Sequence, residues 1–148
     1  MLSLFQLGNI ITEKIKNGYK LIDLSDILSS YNSTDWHKYS FINDTTYYRH
    51  VVFLNEYIEI VIITWSLLQE SKIHDHPENG CLMKILIGNL TEITYDKDLS
   101  KINETLLNKD DITYIESNKI LHKIKNNYDI SCSLHIYSPP KHKIKFYN

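Results

Sequence analysis

A short stretch near the middle of the chain, SKIHDHPENGC, holds two histidines and a cysteine in an order that suggests metal chemistry. His74 and His76 are separated by one residue, so on a β-strand both imidazoles point to one side and Asp75 points to the other. Cys81 follows five residues after His76. Such a histidine pair suits metal binding, but it is as common among surface polar residues and hydrogen-bonded core residues.

His122, in the segment ILHKIKN, is the candidate for a third ligand. The segment has the composition of a separate strand, and a ligand brought by a second strand would complete a three-histidine metal site in a β-barrel. The alternative is a half-exposed strand histidine with no special role. His122 taken alone favours that alternative.

Polar side chains occupy every second position of SCSLHIYS, at Ser133, His135 and Tyr137. A strand there has one polar and one apolar side. The ordinary interpretation is a half-buried strand whose polar side is in solvent. The other is a hydrogen-bonded relay in which Ser133 and His135 position the Tyr137 phenol.

Arg49 lies among strand-forming residues in YYRHVV, with Tyr47 on the same side of the strand. A buried guanidinium is unfavourable unless it meets an anion. A carboxylate suits it, because the planar group holds a carboxylate by two parallel hydrogen bonds. The alternative is a side chain whose stem packs on the sheet while its head reaches water.

The elements that must position these residues fall into two regions. Up to about residue 40, apolar residues recur at steps of three and four, as in KLIDLSDILSSY, and predict helices. Beyond it, β-branched and aromatic residues predict strands in YYRHVVF, YIEIVIITW, CLMKILIGNLTEITYD, DITYIES, ILHKIKN and ISCSLHIYS. We expect one domain over 1–148, mainly β, with a helical cap over 1–40 and an antiparallel β-barrel over 41–148 that binds a small ligand in an interior cavity.

Composition limits the partners. The 148 residues carry 16 basic and 18 acidic side chains, a net charge of −2, with no block of like charge. Neither a nucleic acid nor a membrane surface is therefore indicated. No run approaches the about 18 apolar residues of a membrane span, and the first residues do not resemble a secretory signal. We expect a cytoplasmic monomer that binds a small molecule, and two cysteines that form no disulfide framework.

The order of the segments resembles the cysteine dioxygenases, which are cupin-fold thiol dioxygenases. IHDHPENGCLMKILIGNLTE is similar to the first cupin motif, in which a usually acidic position follows H-x-H by five residues and a glycine follows seven later, here Gly88. Cys81 stands at the acidic position, as is typical of cysteine dioxygenases. YYRHVV, LHKIKN and SLHIYSPP match further family segments in the same order, and DWHKY matches a turn before the strands. The resemblance implies a cupin-type antiparallel β-barrel, jelly-roll-like, with a short helical N-terminal region.

The resemblance also implies a role for each candidate residue. An Fe(II) ion would be held by His74, His76 and His122. Arg49 would bind the substrate carboxylate, with Tyr47 beside it in the substrate pocket. The catalytic set would be Tyr137, His135 and Cys81, with Cys81 and Tyr137 as the pair that forms a thioether crosslink in animal members. The Ser138–Pro139 peptide bond would be cis.

The implied reaction is the dioxygenation of the L-cysteine thiol by O2 to cysteine sulfinic acid. Three neutral imidazoles would leave the metal's double positive charge for an incoming thiolate. One alternative is 3-mercaptopropionate dioxygenase, whose members typically carry glutamine in place of Arg49 and glycine in place of Cys81. The others are a non-catalytic metal-binding cupin and a structural barrel with incidental histidines. The chain ends eight residues after Pro140, where animal members continue, so we expect a different pocket wall.

Overall fold

The helices lie in the first 40 residues of the computed structural model, which describes residues 1–117 and 119–147. Helix α1, Leu4–Lys16, begins after Ser3, whose hydroxyl accepts a hydrogen bond from the Gln6 amide while the Gln6 side chain accepts one from the Ser3 amide. The helices that follow are a 3₁₀ helix over Leu21–Leu24, α2 over Ser25–Ser29 and a 3₁₀ helix over Asp35–Tyr39. None of the helices in the described ranges is long and apolar enough to cross a membrane.

The described residues beyond the helices form ten strands, and every pairing between them is antiparallel. They are β1 Tyr48–Leu54, β2 Glu59–Ser66, β3 Ile73–His74, β4 Cys81–Ile87, β5 Asn89–Tyr95, β6 Lys101–Asn108, β7 Ile112–Ile115, β8 Leu121–Lys125, β9 Ile130–Tyr137 and β10 Phe146–Tyr147. Seven of them correspond to the segments predicted from composition. Strands β6 and β10 were not predicted. Strand β3 ends at His74, so His76 lies outside the strand that was expected to hold both histidines.

The strands form two five-stranded sheets. The first sheet has the order β1-β2-β9-β4-β7 and the second has the order β10-β3-β8-β5-β6. The expected mainly β, antiparallel architecture is therefore present. The expectation of a closed barrel needs correction, because hydrogen bonds within the described residues leave two separate sheets rather than one continuous ring.

The first sheet is buried on both faces. One face packs against the helices in a cluster that includes Leu7 and Ile11 of α1 and Ile62, Leu134 and Ile136 of the sheet. The opposite face meets the second sheet in a second apolar cluster, with these members: Val61, Ile63, Trp65, Cys81, Met83, Ile85, Leu90, Leu107, Ile124 and Tyr137. Because side chains alternate along a strand, β2, β4 and β9 contribute to both layers.

One charged side chain lies in the helix-facing layer. Lys84, on β4, is 3% exposed, and its ammonium donates hydrogen bonds to the carbonyl oxygens of Leu28 at 3.5 Å, Ser29 at 3.3 Å and Tyr31. Burial lowers the pKa of Lys84. The carbonyls at the end of α2 thus find a donor, and this contact ties the helices to the first sheet.

Gly88 makes the turn between β4 and β5, and its φ of +76° lies in the left-handed region. A Cβ there would clash with the Ser131 hydroxyl and lie 2.8 Å from the Ile130 carbonyl oxygen. We expect Gly88→Ala to lower the free energy of unfolding by about 3 kcal/mol, since the strained φ and the clash add. Urea denaturation measures the change.

Gly18→Ala is the matched control for that substitution. Gly18 also has a positive φ, +92°, but no atom lies within 4 Å of its added Cβ. Gly18→Ala should lower the free energy of unfolding by about 1–2 kcal/mol, from the strained φ alone. Equal losses in the two variants would show that contact with Ser131 does not constrain residue 88.

Candidate metal centre

Three buried histidines converge between the two sheets. His74 lies on β3 and pairs across the ladder with His122 on β8, while His76 follows in the loop after β3. The Nε2 atom of His122 is 2.9 Å from Nε2 of His76 and 3.2 Å from Nε2 of His74. One ring nitrogen from each lies within 4.8 Å of the others. The structure thus brings together the three candidates from separate segments.

Hydrogen bonds on the far side of two rings set their orientation. His74 donates from Nδ1 to the Lys72 carbonyl oxygen at 2.7 Å. Nδ1 of His122 is 2.8 Å from the Glu92 carboxylate, and burial raises the pKa of Glu92 to about 7. An acceptor at Nδ1 keeps the proton there and leaves the Nε2 lone pair directed at the common centre.

The donor set fits a divalent transition-metal ion. Burial lowers the pKa of His74, His76 and His122, so all three rings are neutral at neutral pH. Lone pairs directed at one another about 3 Å apart repel unless a cation stands between them. Imidazole nitrogens are ligands that iron, zinc, copper and nickel accept. The described cluster contains no carboxylate ligand.

A polar row on β9 faces this centre. Ser133, His135 and Tyr137 are all buried, so the interpretation that places the polar side of this strand in solvent is wrong. Trp65 donates from Nε1 to the Ser133 hydroxyl at 3.0 Å, and that hydroxyl is 2.7 Å from Nε2 of His135. Nδ1 of His135 is 3.4 Å from the Tyr137 hydroxyl. These contacts form a chain of hydrogen-bonding groups from Trp65 in the core to the Tyr137 phenol.

Cys81 lies beside Tyr137. The two residues are ladder partners across β4 and β9, and the Cys81 sulfur is 3.9 Å from Nδ1 of His135. Burial raises the pKa of the Cys81 thiol and of the Tyr137 phenol, and it lowers the pKa of His135. All three groups are therefore neutral at neutral pH.

The turn after β9 helps to align that pair. The Ser138–Pro139 peptide bond is cis, as the resemblance implies. The amide of Asn79, two residues before Cys81, donates to the Ser138 carbonyl oxygen at 2.9 Å. The Ser138 hydroxyl donates to the Tyr57 carbonyl oxygen at 3.0 Å. The first bond joins the segments that carry Cys81 and Tyr137, and the second joins the turn to the chain just before β2.

Arg49 and Tyr47 lie at the mouth of the site. The Arg49 side chain is exposed, and its guanidinium carbon is 5.9 Å from the centre of the Tyr137 ring. No acidic side chain in the described ranges forms a salt bridge with it. The Tyr47 ring stacks on Trp65 at 4.5 Å. Arg49 therefore presents an uncompensated positive charge beside the cavity.

The cavity at this site, called the metal cavity below, has a volume of about 90 Å³. That is far below the roughly 300–1,000 Å³ of sites for drug-sized ligands, so it suits a small molecule. Its lining includes His74, His122, His135, Tyr137, Arg49 and Tyr47.

Sequence reasoning missed several residues of the site. Glu92 shares a strand side with Leu90, and an acidic residue on an apolar side was an available indication. No pattern in the sequence indicates that Trp65 donates a hydrogen bond to Ser133. Ile144 and Phe146 also line the metal cavity, but their place depends on the pairing of β10 with β3, which no local pattern indicates.

The fold is that of the cupins. A protein with a double-stranded β-helix domain from Klebsiella pneumoniae superposes with a TM-score of 0.67 at 16% identity, covering 78% of this chain and 96% of that one. An RmlC-like cupin from Methanocaldococcus jannaschii gives 0.55 at 19% identity, covering 68% and 87%. Both confirm the predicted cupin fold.

Within that class, the family is defined by sequence. The profile of the family cysteine dioxygenase type I matches residues 3–148, and the chain belongs to this family. Cysteine dioxygenase type 1 of Rattus norvegicus is 30% identical over 129 residues, and that of Homo sapiens is 32% identical over 129. Each alignment covers 80% of this chain and 64% of the relative, so the chain spans just under two thirds of these relatives. The protein of Danio rerio is 29% identical, with 93% and 70% covered.

The Glu92 contact predicts a loss of metal affinity on substitution. Glu92→Ala removes the acceptor that orients His122, and we expect the metal to bind about 10–100-fold more weakly. His122→Ala should abolish metal retention. Competition with a chelator of known affinity measures both changes.

Glu104→Ala is the control, because Glu104 lies on the neighbouring strand β6 and is exposed. The metal affinity of Glu104→Ala should equal that of the unaltered protein. Unchanged affinity in Glu92→Ala would show that the carboxylate does not support the site.

Proposed function

We propose that this protein is an iron(II)-dependent dioxygenase that converts L-cysteine and O2 to cysteine sulfinic acid. The observation that carries the proposal is the convergence of three neutral imidazoles, without a carboxylate, beside a small cavity that His74, His122 and Arg49 line. Membership of the cysteine dioxygenase type I family supports it. The names of the rat and human relatives support the choice of cysteine.

The metal ligands in this proposal are His74, His76 and His122. Because the rings are neutral, a thiolate would be the anion that balances the metal charge. Iron(II) held there supplies the redox chemistry by which both atoms of O2 are transferred to the thiol sulfur.

Arg49 would hold the substrate carboxylate. Its guanidinium is accessible at the mouth and has no salt bridge among the described residues, so its hydrogen-bonding fork is available to an anion. Tyr47, stacked on Trp65, would form the adjacent wall. Arg49 and Cys81 both favour cysteine over 3-mercaptopropionate, whose dioxygenases typically carry glutamine and glycine at these positions.

The polar row on β9 would direct the phenol of Tyr137. Indole nitrogen only donates, so the Ser133 oxygen accepts from Trp65 and its proton is free for Nε2 of His135. His135, neutral, then carries its proton on Nδ1 and donates it to the Tyr137 oxygen. The Tyr137 proton is left for a group in the cavity, such as a charged substrate atom.

Cys81 and Tyr137 would form the thioether crosslink. Their ladder pairing on one face of the first sheet supports this step. The S–H bond of Cys81 and one ring C–H bond of Tyr137 break as the S–C bond forms, and O2 takes up the two electrons and two protons as H2O2. The cytoplasmic location, the monomeric state and the single-domain division stay predictions.

Oxygen uptake by the iron-loaded protein tests the proposal. With L-cysteine we expect uptake of one O2 per thiol consumed and a product heavier by two oxygen atoms, measured by an oxygen electrode and mass spectrometry. Faster uptake with 3-mercaptopropionate in a parallel assay would identify that thiol, rather than cysteine, as the preferred substrate. Iron binding without uptake with either thiol would identify a non-catalytic metal-binding cupin.

Arg49→Gln tests the carboxylate contact. We expect kcat/KM for cysteine to fall about 10–100-fold, the value of a charged hydrogen bond. The fall for 3-mercaptopropionate should be smaller. Cysteine offers two metal donors, its thiol and its amine, and has less freedom to bring its carboxylate to another partner.

Arg49→Lys is the companion variant, because it keeps the charge and loses the fork. It should recover part of the activity with cysteine. An unchanged preference between the two thiols in Arg49→Gln would refute the assigned role.

A further inference from the structure

Residues 141–147, called the closing segment below, lie beside the metal cavity and end in β10, an edge strand of the second sheet. The segment pairs with β3 through β10, where Phe146 is opposite His74. Ile144 and Phe146 line the metal cavity. Lys143 and Lys145, which flank Ile144, are exposed, and Phe146 is 52% exposed. The segment thus presents Ile144 and part of Phe146 to the site and its lysines to solvent.

Asp75 anchors the closing segment. Its carboxylate oxygen accepts a hydrogen bond from the Lys145 amide at 2.8 Å and is 2.9 Å from Nε2 of His142. The Asp75 amide donates to the Lys145 carbonyl oxygen at 3.2 Å. At the start of the segment, the Lys141 amide donates to the Glu59 carboxylate at 2.9 Å. The segment is therefore held on both sides of Ile144.

A second cavity adjoins the metal cavity beyond this segment. This outer cavity, of about 200 Å³, is lined by Glu59, Asp75, Pro77, Lys141 and His142 together with three residues that also line the metal cavity. The shared residues are Arg49, Tyr137 and Ile144. Ile144 is the apolar member of the three and has no polar contact to make. Its side chain is therefore the apolar part of the wall that the two cavities share.

We infer that Ile144 is a specificity-determining residue that limits the substrate to thiols whose carboxylate ends at Arg49. This inference rests on the proposed function and names a size limit within it. A longer thiol needs the space that Ile144 fills. An example is the dipeptide cysteinylglycine, in which a peptide bond to glycine replaces the cysteine carboxylate. In the outer cavity the distal carboxylate of such a thiol would lie among Lys141 and the acidic side chains of Glu59 and Asp75. Asp75 is a positioning residue, because it acts through the closing segment.

The test measures thiol binding to the cobalt(II)-loaded protein, which requires no reaction with O2. Absorption by the cobalt–thiolate bond gives the Kd of L-cysteine and of cysteinylglycine. The unaltered protein should bind cysteine more tightly than the dipeptide. Ile144→Ala should shift the ratio of the two Kd values by about tenfold or more towards the dipeptide, as expected when several methyl and methylene groups leave a pocket wall.

Three further variants separate this effect from a general loss of structure. Asp75→Ala frees the closing segment and should shift the same ratio, whereas Asp75→Asn keeps an oxygen for the Lys145 amide and should restore much of the selectivity. Lys143→Ala, on the exposed side of the segment, should leave the ratio unchanged. Cobalt content should be equal in all four variants.

The inference fails if Ile144→Ala binds cysteine normally with an unchanged ratio, or if the unaltered protein binds both thiols equally well. Either result is independent of oxygen uptake. A protein that binds cysteine selectively on cobalt and consumes no O2 on iron would refute the proposed dioxygenase activity and leave the role of Ile144 supported.

Discussion

The structure of this protein depends on the hydrogen bonds that orient the histidines buried on the inner faces of its sheets. A buried polar group is costly unless it is hydrogen-bonded. Three of the four buried histidines follow this rule on the side away from the cavity, whereas Nδ1 of His76 has no hydrogen-bond partner among the described residues. His74 meets a backbone carbonyl, His122 meets Glu92, and His135 meets Ser133. Each bond lies on the side of a ring away from the cavity. The other nitrogen of each ring is thereby left directed towards the metal cavity.

Burial also determines the charge of the site. It disfavours the charged forms of the three convergent histidines, the Cys81 thiol and the Tyr137 phenol, so these groups are uncharged at neutral pH. The one guanidinium stays at the mouth. A cation among the imidazoles and an anionic substrate between it and Arg49 would complement this distribution. The closing segment adds an apolar boundary on the side that faces solvent.

Much of the fold was predictable because burial leaves periodic patterns. The helix spacing before residue 40 and the β-branched segments correspond to observed elements. Strand β6 was missed because it is an edge strand on which Leu107 is the one buried residue, so no alternation marks it. The closed barrel was wrong in detail, because sheet closure depends on pairings between distant segments. Asp75 was expected to point away from the histidines, and its contacts with His142 and Lys145 depend on the path of the closing segment.

The sequence by itself determined which residues can do chemistry and their sides of each strand, since the alternation of side chains is a local property of the backbone. It also determined the family, through motifs in a fixed order. Tertiary structure decided that Ser133, His135 and Tyr137 face a buried cavity rather than solvent, because only packing of the second sheet covers them. It likewise decided the partnership of Glu92 with His122 and the position of Ile144 between two cavities. These contacts join residues far apart in the chain, and no local pattern specifies which distant segments meet.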